Sequence, residues 1–339
     1  MRGRIVKLDR GFPLVRTEEG ALVRCEHATE LVKGKNVRAA IGDIVELALP
    51  EGHDKGIIEN IENRRTAFVR RDPAERTTSQ VLAANFDLVI VAEPVSQLNL
   101  KRLERELVLA HQTGADVAIV LTKSDLASEG EVHVALDAAS DLAGRSVDVL
   151  PIAANDAESI EQVRALVKPG TLTVLVGKSG VGKSSLVNLL VGREVQQTGA
   201  VREHDGKGRH TTVSREVVDI PGGGSVVDMP GIRGLGLWDA DAGIEAAFAD
   251  IAELAASCRF RDCRHIDEPG CAVRQAVAEG ELGQTRLDSY LALRAEAEQT
   301  AERREQARQM RGEKASDMRQ SSGKGSSRKL RPYAKRGRR

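Results

Sequence analysis

Apolar residues in the first 61 positions come in short runs, at 5–8, 13–16, 21–25, 44–49 and 56–61, separated by Gly, Asp, Glu or Pro. Runs of this length with turn residues between them predict five β-strands, and five strands so spaced predict a small barrel. An oligonucleotide-binding (OB) type suits that count, because it closes five strands and offers one face and its loops to nucleic acid. Phe12 is the sole aromatic residue before Phe68. Contact with single strands is therefore expected to rest on shape and on Arg and Lys rather than on base stacking.

Residues 64–80 are polar and Arg-rich and read as a connector. Beyond them the pattern changes: strand candidates at 88–92, 117–121, 147–152 and 172–176 alternate with helical segments, notably 100–112. That alternation predicts a parallel sheet covered on both faces. Ligands of such sheets bind at the carboxyl ends of the strands.

Two motifs fall at such ends. Gly177-Lys178-Ser179-Gly180-Val181-Gly182-Lys183-Ser184 follows one strand and opens a helix with Leu186, Leu189 and Leu190 on one face. This is the context that makes a phosphate-binding loop specific. Gly177 and Gly182 let the backbone curve so that successive N–H groups and the helix N-terminus point at a phosphate. Lys183 is expected to neutralise β- and γ-oxygens and Ser184 to offer its hydroxyl to Mg²⁺, with Ser185 beside it in the nucleotide set. Thr122-Lys123-Ser124-Asp125 follows another strand. Asp125 can accept from guanine N1–H and the 2-amino group together, which adenine cannot satisfy, while Lys123 can lay its stem along base and loop.

The guanine motif precedes the phosphate loop, the reverse of the usual GTPase order, so the chain reads as a circularly permuted P-loop GTPase domain. Permutation puts the domain's C-terminus just past the segment that senses the γ-phosphate. Asp228, with Met229-Pro230-Gly231 after it, is expected to hold Mg²⁺ through water while Gly231 offers its N–H to the γ-phosphate. Thr211 or Thr212, in a Gly/Arg-rich segment, is the candidate for the second Mg²⁺ contact. Ile232 stands where many GTPases carry a water-positioning Gln, and His210 is the candidate to replace it once RNA orders its loop.

The chain of 339 residues has room for two or three domains, and with 2% aromatics its cores must be built from Val, Leu, Ile and Ala. No stretch is apolar enough to span a bilayer and the N-terminus lacks a secretory apolar region, so a cytoplasmic location without membrane contact is expected. The net charge is zero, yet residues 319–339 hold nine Lys and Arg and no carboxylate. A Ser/Gly-rich segment of this kind cannot fold alone and is expected to be a disordered tail that meets a phosphate backbone. Leu282, Leu287, Tyr290 and Leu291 can share one helical face, whereas residues 296–318 are almost wholly polar and would make a helix with no core to join.

Three of the four cysteines lie in Cys258-x4-Cys263-x-His265-x5-Cys271. Three thiolates and an imidazole make a closed tetrahedral Zn²⁺ site, structural because no ligand position is left for water. Cys25 stands alone and reads as a small buried hydrophobe.

With these motifs, and with Gly206-Lys207-Gly208-Arg209-His210-Thr211-Thr212 and Pro221-Gly222-Gly223-Gly224, the chain resembles the ribosome-small-subunit-dependent GTPases of the RsgA/YjeQ family from about residue 5 to 293. It departs at Thr122, where Asn is frequent, at Ala153, where Ser is frequent in the base-side loop, and at Met229, where Thr is frequent; the first two departures remove side-chain hydrogen bonds near the base. The resemblance implies an OB barrel, a permuted GTPase and a zinc domain acting in late maturation of the 30S subunit, with 16S rRNA as partner.

The resulting expectation is a multidomain chain: an N-terminal OB-type β-barrel over 1–70, a central α/β permuted GTPase domain over 71–238, a mostly helical zinc-binding domain over 239–318 and a basic tail over 319–339. A monomer is expected to bind GTP or GDP with Mg²⁺ and hydrolyse GTP, as a phosphoric anhydride hydrolase stimulated by the 30S subunit. An RNA-binding scaffold using GTP as a structural ligand is the alternative; a P-loop ATPase or kinase is opposed by Asp125.

Overall fold

The computed structural model describes residues 1–9, 12–33, 38–71, 79–196, 215–229 and 241–323. Strands β1 (Arg2–Asp9), β2 (Phe12–Thr17), β3 (Leu22–His27), β4 (Ile44–Ala48) and β5 (Gly56–Ile61) follow the five apolar runs, with a short helix α1 (Thr29–Lys33) between β3 and β4. Their order is β1-β2-β3-β5-β4, and β4 pairs back onto β1, which closes the barrel. Period-two alternation turns Ile5, Val15, Cys25, Val45, Leu47 and Ile58 inward. Cys25 is a fully buried small hydrophobe, as expected.

Part of the 64–80 stretch is a strand. β6 (Ala67–Arg71) pairs antiparallel with β7 (Ser79–Ala84), and Phe68 stacks on Phe86 with ring centroids 5.2 Å apart. The basic residues flanking its short apolar core mask the strand signal. β7 leads straight into a tight junction with the barrel. Gly42 has φ +85°, and a Cβ there would lie 2.0 Å from the Ala84 carbonyl oxygen. Asn85 ties the same corner, donating to the Gly42 carbonyl and accepting from the Arg65 N–H.

The central layer comprises β8 (Leu88–Pro94), α2 (Leu100–His111), β9 (Asp116–Thr122), α3 (Glu129–Ala143), β10 (Asp148–Pro151), α4 (Ala157–Leu166), β11 (Leu172–Val176), α5 (Lys183–Val191), β12 (Arg215–Asp219) and β13 (Ser225–Asp228). Strand order is β10-β9-β8-β11-β13-β12, parallel except for β12. The two faces bury alternate residues of each strand. Val89, Val91, Ile119, Leu121, Val174 and Val176 share a core with Leu103 and Leu107 of α2 and Ala139 and Leu142 of α3. Ile90, Ala118, Val120 and Leu175 turn to Val163 of α4 and Leu186, Val187 and Leu190 of α5.

Chain order and sheet order together carry the permutation. The chain enters the sheet at β8, runs outward to β10, returns to the phosphate-loop strand β11 in the middle, and ends at β12 and β13 on the other side. Cutting before β11 and rejoining β13 to β8 would make β11 the first strand without moving one. The barrel is not a detached module: β12 also pairs antiparallel with β1, with Lys7 opposite Glu216, so barrel and central strands form one eleven-stranded sheet.

Helices α6 (Asp241–Ala247), α7 (Ala249–Ala255), α8 (Ala272–Ala278) and α9 (Gln284–Gly323) follow. α6 packs on α2 closely enough that a Cβ on Gly243 would lie 2.7 Å from the Val108 carbonyl oxygen. Residues 1–291 form one compact unit; the remainder of α9, from Ala292, belongs to a second. That second part is helical to Gly323, so the first residues of the basic 319–339 segment are helix and the rest lie outside the described residues. Among the described residues no helix is long and apolar enough to cross a membrane.

Candidate functional site

The phosphate loop links β11 to α5 at the carboxyl end of the sheet. Its glycines are required by geometry: Gly177, Gly180 and Gly182 have φ of +136°, +85° and +110°, and a Cβ on Gly177 would lie 2.4 Å from the Ala92 carbonyl oxygen of β8. With Gly182 as N-cap and no side chain capping it, the first N–H groups of α5 are left for a ligand. Lys183 is buried and curls back over the loop, its Nζ donating to the carbonyls of Gly177 at 2.9 Å and Lys178 at 3.3 Å. This holds its ammonium where a phosphate would meet it.

The guanine motif leaves β9, two strands from β11, and grips the same loop. Thr122 Oγ1 donates to the Val181 carbonyl at 2.5 Å and Lys123 Nζ to the Gly180 carbonyl at 2.9 Å. Lys123 reaches across from a left-handed backbone, φ +60°. Thr122, where Asn is frequent in the family, thus bonds through its hydroxyl to the glycine loop. Asp125 is exposed and accepts from the Ala154 N–H at 3.4 Å, while the Ser124 N–H donates to the Ile152 carbonyl. At Ala153, which has no hydroxyl, the N–H donates to buried Ser159 Oγ at 3.2 Å, so a serine of α4 shapes the base-side loop.

Asp228 ends β13 beside the loop. Its Oδ1 is buried without a hydrogen-bond partner and lies 3.9 Å from Lys183 Nζ. Burial pushes its carboxyl up, against the Lys183 ammonium and the Ser184 hydroxyl, which pull it down. An orphaned carboxylate oxygen beside a phosphate-loop hydroxyl fits a hydrated divalent cation. His210, Thr211, Thr212, Gly231 and Ile232 lie outside the described residues.

Two residues that motif reading passes over support the site. Glu93, fully buried at the end of β8, accepts from the Arg102 guanidinium through both oxygens, and its carbonyl lies 3.4 Å from Thr122 Oγ1. A carboxylate closing the apolar run Leu88-Val89-Ile90-Val91-Ala92, nine residues before an arginine, was the available signal.

In the helical segment that follows the sheet, Cys258, Cys263, His265 and Cys271 bring their ligand atoms within 4.8 Å of one another. Cys258 Sγ lies 3.9 Å from Cys271 Sγ and 3.7 Å from His265 Nδ1, and Cys271 Sγ is 3.4 Å from that nitrogen. A tetrahedral zinc with bonds of about 2.3 Å has sulfur–sulfur edges of about 3.8 Å, so the donor set fits. Burial pushes the Cys263 thiol up to about 12. The Cys258 thiol is held below the usual range: burial opposes this, but the N–H groups of Val273 and Ala272 at the start of α8 outweigh it. Glu268 braces the loop by accepting from the N–H groups of Arg264, Ile266 and Asp267. Arg286 anchors the start of α9, paired through Nε and Nη2 with Asp250 at 2.7 Å and donating to the carbonyls of Leu142 in α3 and Ala247 in α6.

A glycine loop on the inner parallel strand β11, bridged to a Thr-Lys-Ser-Asp segment from a strand that precedes it in sequence, defines a circularly permuted P-loop GTPase fold. The chain matches the RsgA GTPase family over residues 61–238. A Streptomyces coelicolor protein named small ribosomal subunit biogenesis GTPase RsgA is 43% identical over 85% of this chain and 78% of its own length. A Xanthomonas axonopodis pv. citri protein of the same name is 39% identical over 88% and 82%. The chain belongs to the RsgA GTPase family. Its structure is similar to YjeQ from Thermotoga maritima (TM-score 0.67, 27% identity, 87% of this chain and 98% of that one) and to YloQ, described as a circularly permuted GTPase (0.65, 25%, 88% and 95%).

Proposed function

We propose that this protein hydrolyses GTP to GDP and phosphate during biogenesis of the small ribosomal subunit, with the 30S subunit as activator and 16S rRNA as the surface it holds. The observation that carries this reading is the double bridge from Thr122 and Lys123 to Val181 and Gly180, which ties base selection to phosphate binding in one rigid unit; the names borne by the relatives supply the ribosomal context.

Asp125 reads guanine, with Thr122, Lys123 and Ser124 framing it. The N–H groups of Gly177, Lys178, Ser179, Gly180, Val181 and Gly182, with Lys183, Ser184 and Ser185, hold the phosphates. Ser184 and Asp228 hold Mg²⁺, joined by Thr211 or Thr212. Bound there, Mg²⁺ neutralises charge on the β- and γ-phosphates. Gly231 donates its N–H to the γ-phosphate and His210 orients the attacking water in place of a Gln. Cys258, Cys263, His265 and Cys271 hold one structural Zn²⁺. The working divisions are a barrel over 1–70, a GTPase domain over 71–238, a zinc-binding helical domain over 239–318 and a basic tail over 319–339; the end of the family match at residue 238 supports the second boundary. The protein works in the cytoplasm as a monomer.

GTP hydrolysis measured with 30S subunits, 50S subunits and neither tests this. Multiple turnover stimulated by 30S subunits alone is expected. Equal rates in all three would remove the 30S subunit as activator, and the lack of multiple turnover even with 30S subunits would leave a scaffold that uses GTP as a structural ligand.

A further inference from the structure

The end of the sheet opposite the phosphate loop holds a second concave site. A cleft of about 580 Å³ lies between barrel strands β1 and β2 and the leading ends of β11 and β13, and Arg2, Arg4, Arg16, Arg65, Leu172 and Val217 are among the residues lining it. Its volume falls in the range of small-ligand pockets, about 300–1,000 Å³. Four arginines converging on one recess repel one another unless anions lie between them.

Three of the four are matched. Arg2 pairs with Glu62 at 2.6 Å and Glu18 at 3.2 Å, Arg16 with Asp219 at 2.8 Å, and Arg65 with Asp87 at 2.9 Å. Arg4 is not. Its guanidinium donates to the Asn85 carbonyl at 3.3 Å, and among the described residues no carboxylate stands within ion-pair distance of it. Burial weakens its hold on the proton, Asp87 opposes this, and Arg65, Arg16 and Arg2 add to the weakening. A partly desolvated guanidinium whose nearest carboxylate, Asp87, is already paired with Arg65 is only partly neutralised. An oxyanion is what relieves it, and the flat fork of arginine matches phosphate in a bidentate way.

We propose that this cleft is a second phosphate-binding site, with Arg4 as anchor and Arg16 and Arg65 at its flanks, taking the phosphate group of a nucleotide, either free or within an RNA chain. Its walls come from both parts of the sheet: Arg4 and Arg16 from the barrel, Thr171 and Ser225 from the leading ends of the central strands. A ligand there therefore fastens barrel to sheet at the end remote from the GTP site.

The test uses the full chain with the GTP site saturated by GDP and Mg²⁺, and inorganic phosphate as probe. Thermal unfolding is followed against phosphate concentration, with chloride at matched ionic strength as control. The wild type is expected to gain a saturable, phosphate-specific rise in Tm. Arg4→Met should weaken the apparent phosphate affinity by about tenfold or more, with little change of Tm in chloride, since the relief of a partly neutralised charge offsets the lost contact to the Asn85 carbonyl. Arg4→Lys keeps the charge but loses the fork, and should fall between the two. A wild type that responds to phosphate no more than to chloride overturns the site, as does an Arg4→Met that responds like the wild type. Should Arg4→Met not fold, an Arg4→Lys with undiminished phosphate affinity overturns it equally. AMP and single-stranded RNA then serve as second probes: tighter Arg4-dependent binding of AMP identifies a free nucleotide as the source, and tighter binding of RNA identifies its backbone.

Discussion

Thr122 Oγ1 donates to the Val181 carbonyl across 59 residues of chain, at 2.5 Å. The guanine motif and the phosphate loop are thereby one structure, although the permutation places them in unusual order. Replacing Thr122 with Val deletes this bond while keeping the shape, and should weaken GDP binding by about fivefold to tenfold. Thr122→Asn, which can reach the same carbonyl, should restore most of it. Titration with a fluorescent GDP analogue checks both, and a Val variant with wild-type affinity would show that the bond contributes nothing.

Base choice should follow Asp125. In Asp125→Asn the amide meets the extra carbonyl of xanthine, which replaces the 2-amino donor of guanine, so preference should pass from GTP to xanthosine triphosphate. Competition between the two nucleotides reads the exchange directly. A variant that still strongly prefers GTP removes Asp125 from base recognition.

Asp228 should trade stability for metal. Its folded carboxyl titrates above the ordinary value of 3.8, so the native state holds the proton more tightly than the unfolded chain. Stability from this group is present below about 3.8 and is lost as pH rises through the higher folded value. At neutral pH the carboxylate is then a net cost in the nucleotide-free protein. Asp228→Asn should raise Tm at pH 7 without nucleotide, with the gain shrinking at acid pH, while Mg²⁺-dependent hydrolysis falls by about a hundredfold or more. A lower Tm at pH 7 would contradict the sign.

One Zn²⁺ per chain is expected in protein purified without chelator, and metal analysis settles its presence. Cys263→Ser or His265→Ala should lose it and open residues 258–271 to proteolysis, because metal binding here is folding energy. GDP affinity should change little. Loss of zinc with an unchanged cleavage pattern would deny the metal a structural role.

Arg286 should hold the start of α9 to the GTPase domain. Removing a buried guanidinium strands the Leu142 and Ala247 carbonyls, while half-exposed Asp250 can turn to water, so Arg286→Ala should cost about 2–4 kcal/mol. Chemical denaturation measures the loss, and a change below about 1 kcal/mol would refute it. If α9 carries the ribosomal signal, the variant should also lose stimulation by 30S subunits while still binding GDP.

The permuted GTPase fold was legible in the sequence because its motifs are local. The glycine loop from Gly177 to Ser184 is eight consecutive residues, and the side chains of Cys258, Cys263, His265 and Cys271, which could hold a metal ion, come together from fourteen, so spacing alone constrains them. The five barrel strands were legible for the same reason, since alternation with period two is written residue by residue. What depends on distant partners was not. Thr122 finds its hydrogen-bond acceptor only because Val181 arrives opposite it, and buried Glu93 is tolerable only because Arg102 folds over it. β6 carries too short an apolar core among arginines to announce itself, and becomes a strand through pairing with β7. Nor does any local pattern show β1 joining β12, where Lys7 meets Glu216 across 209 residues and merges barrel with central sheet. Hydrophobic period fixes which face of an element is buried; long-range register decides what it is buried against, and that was settled by the tertiary structure alone.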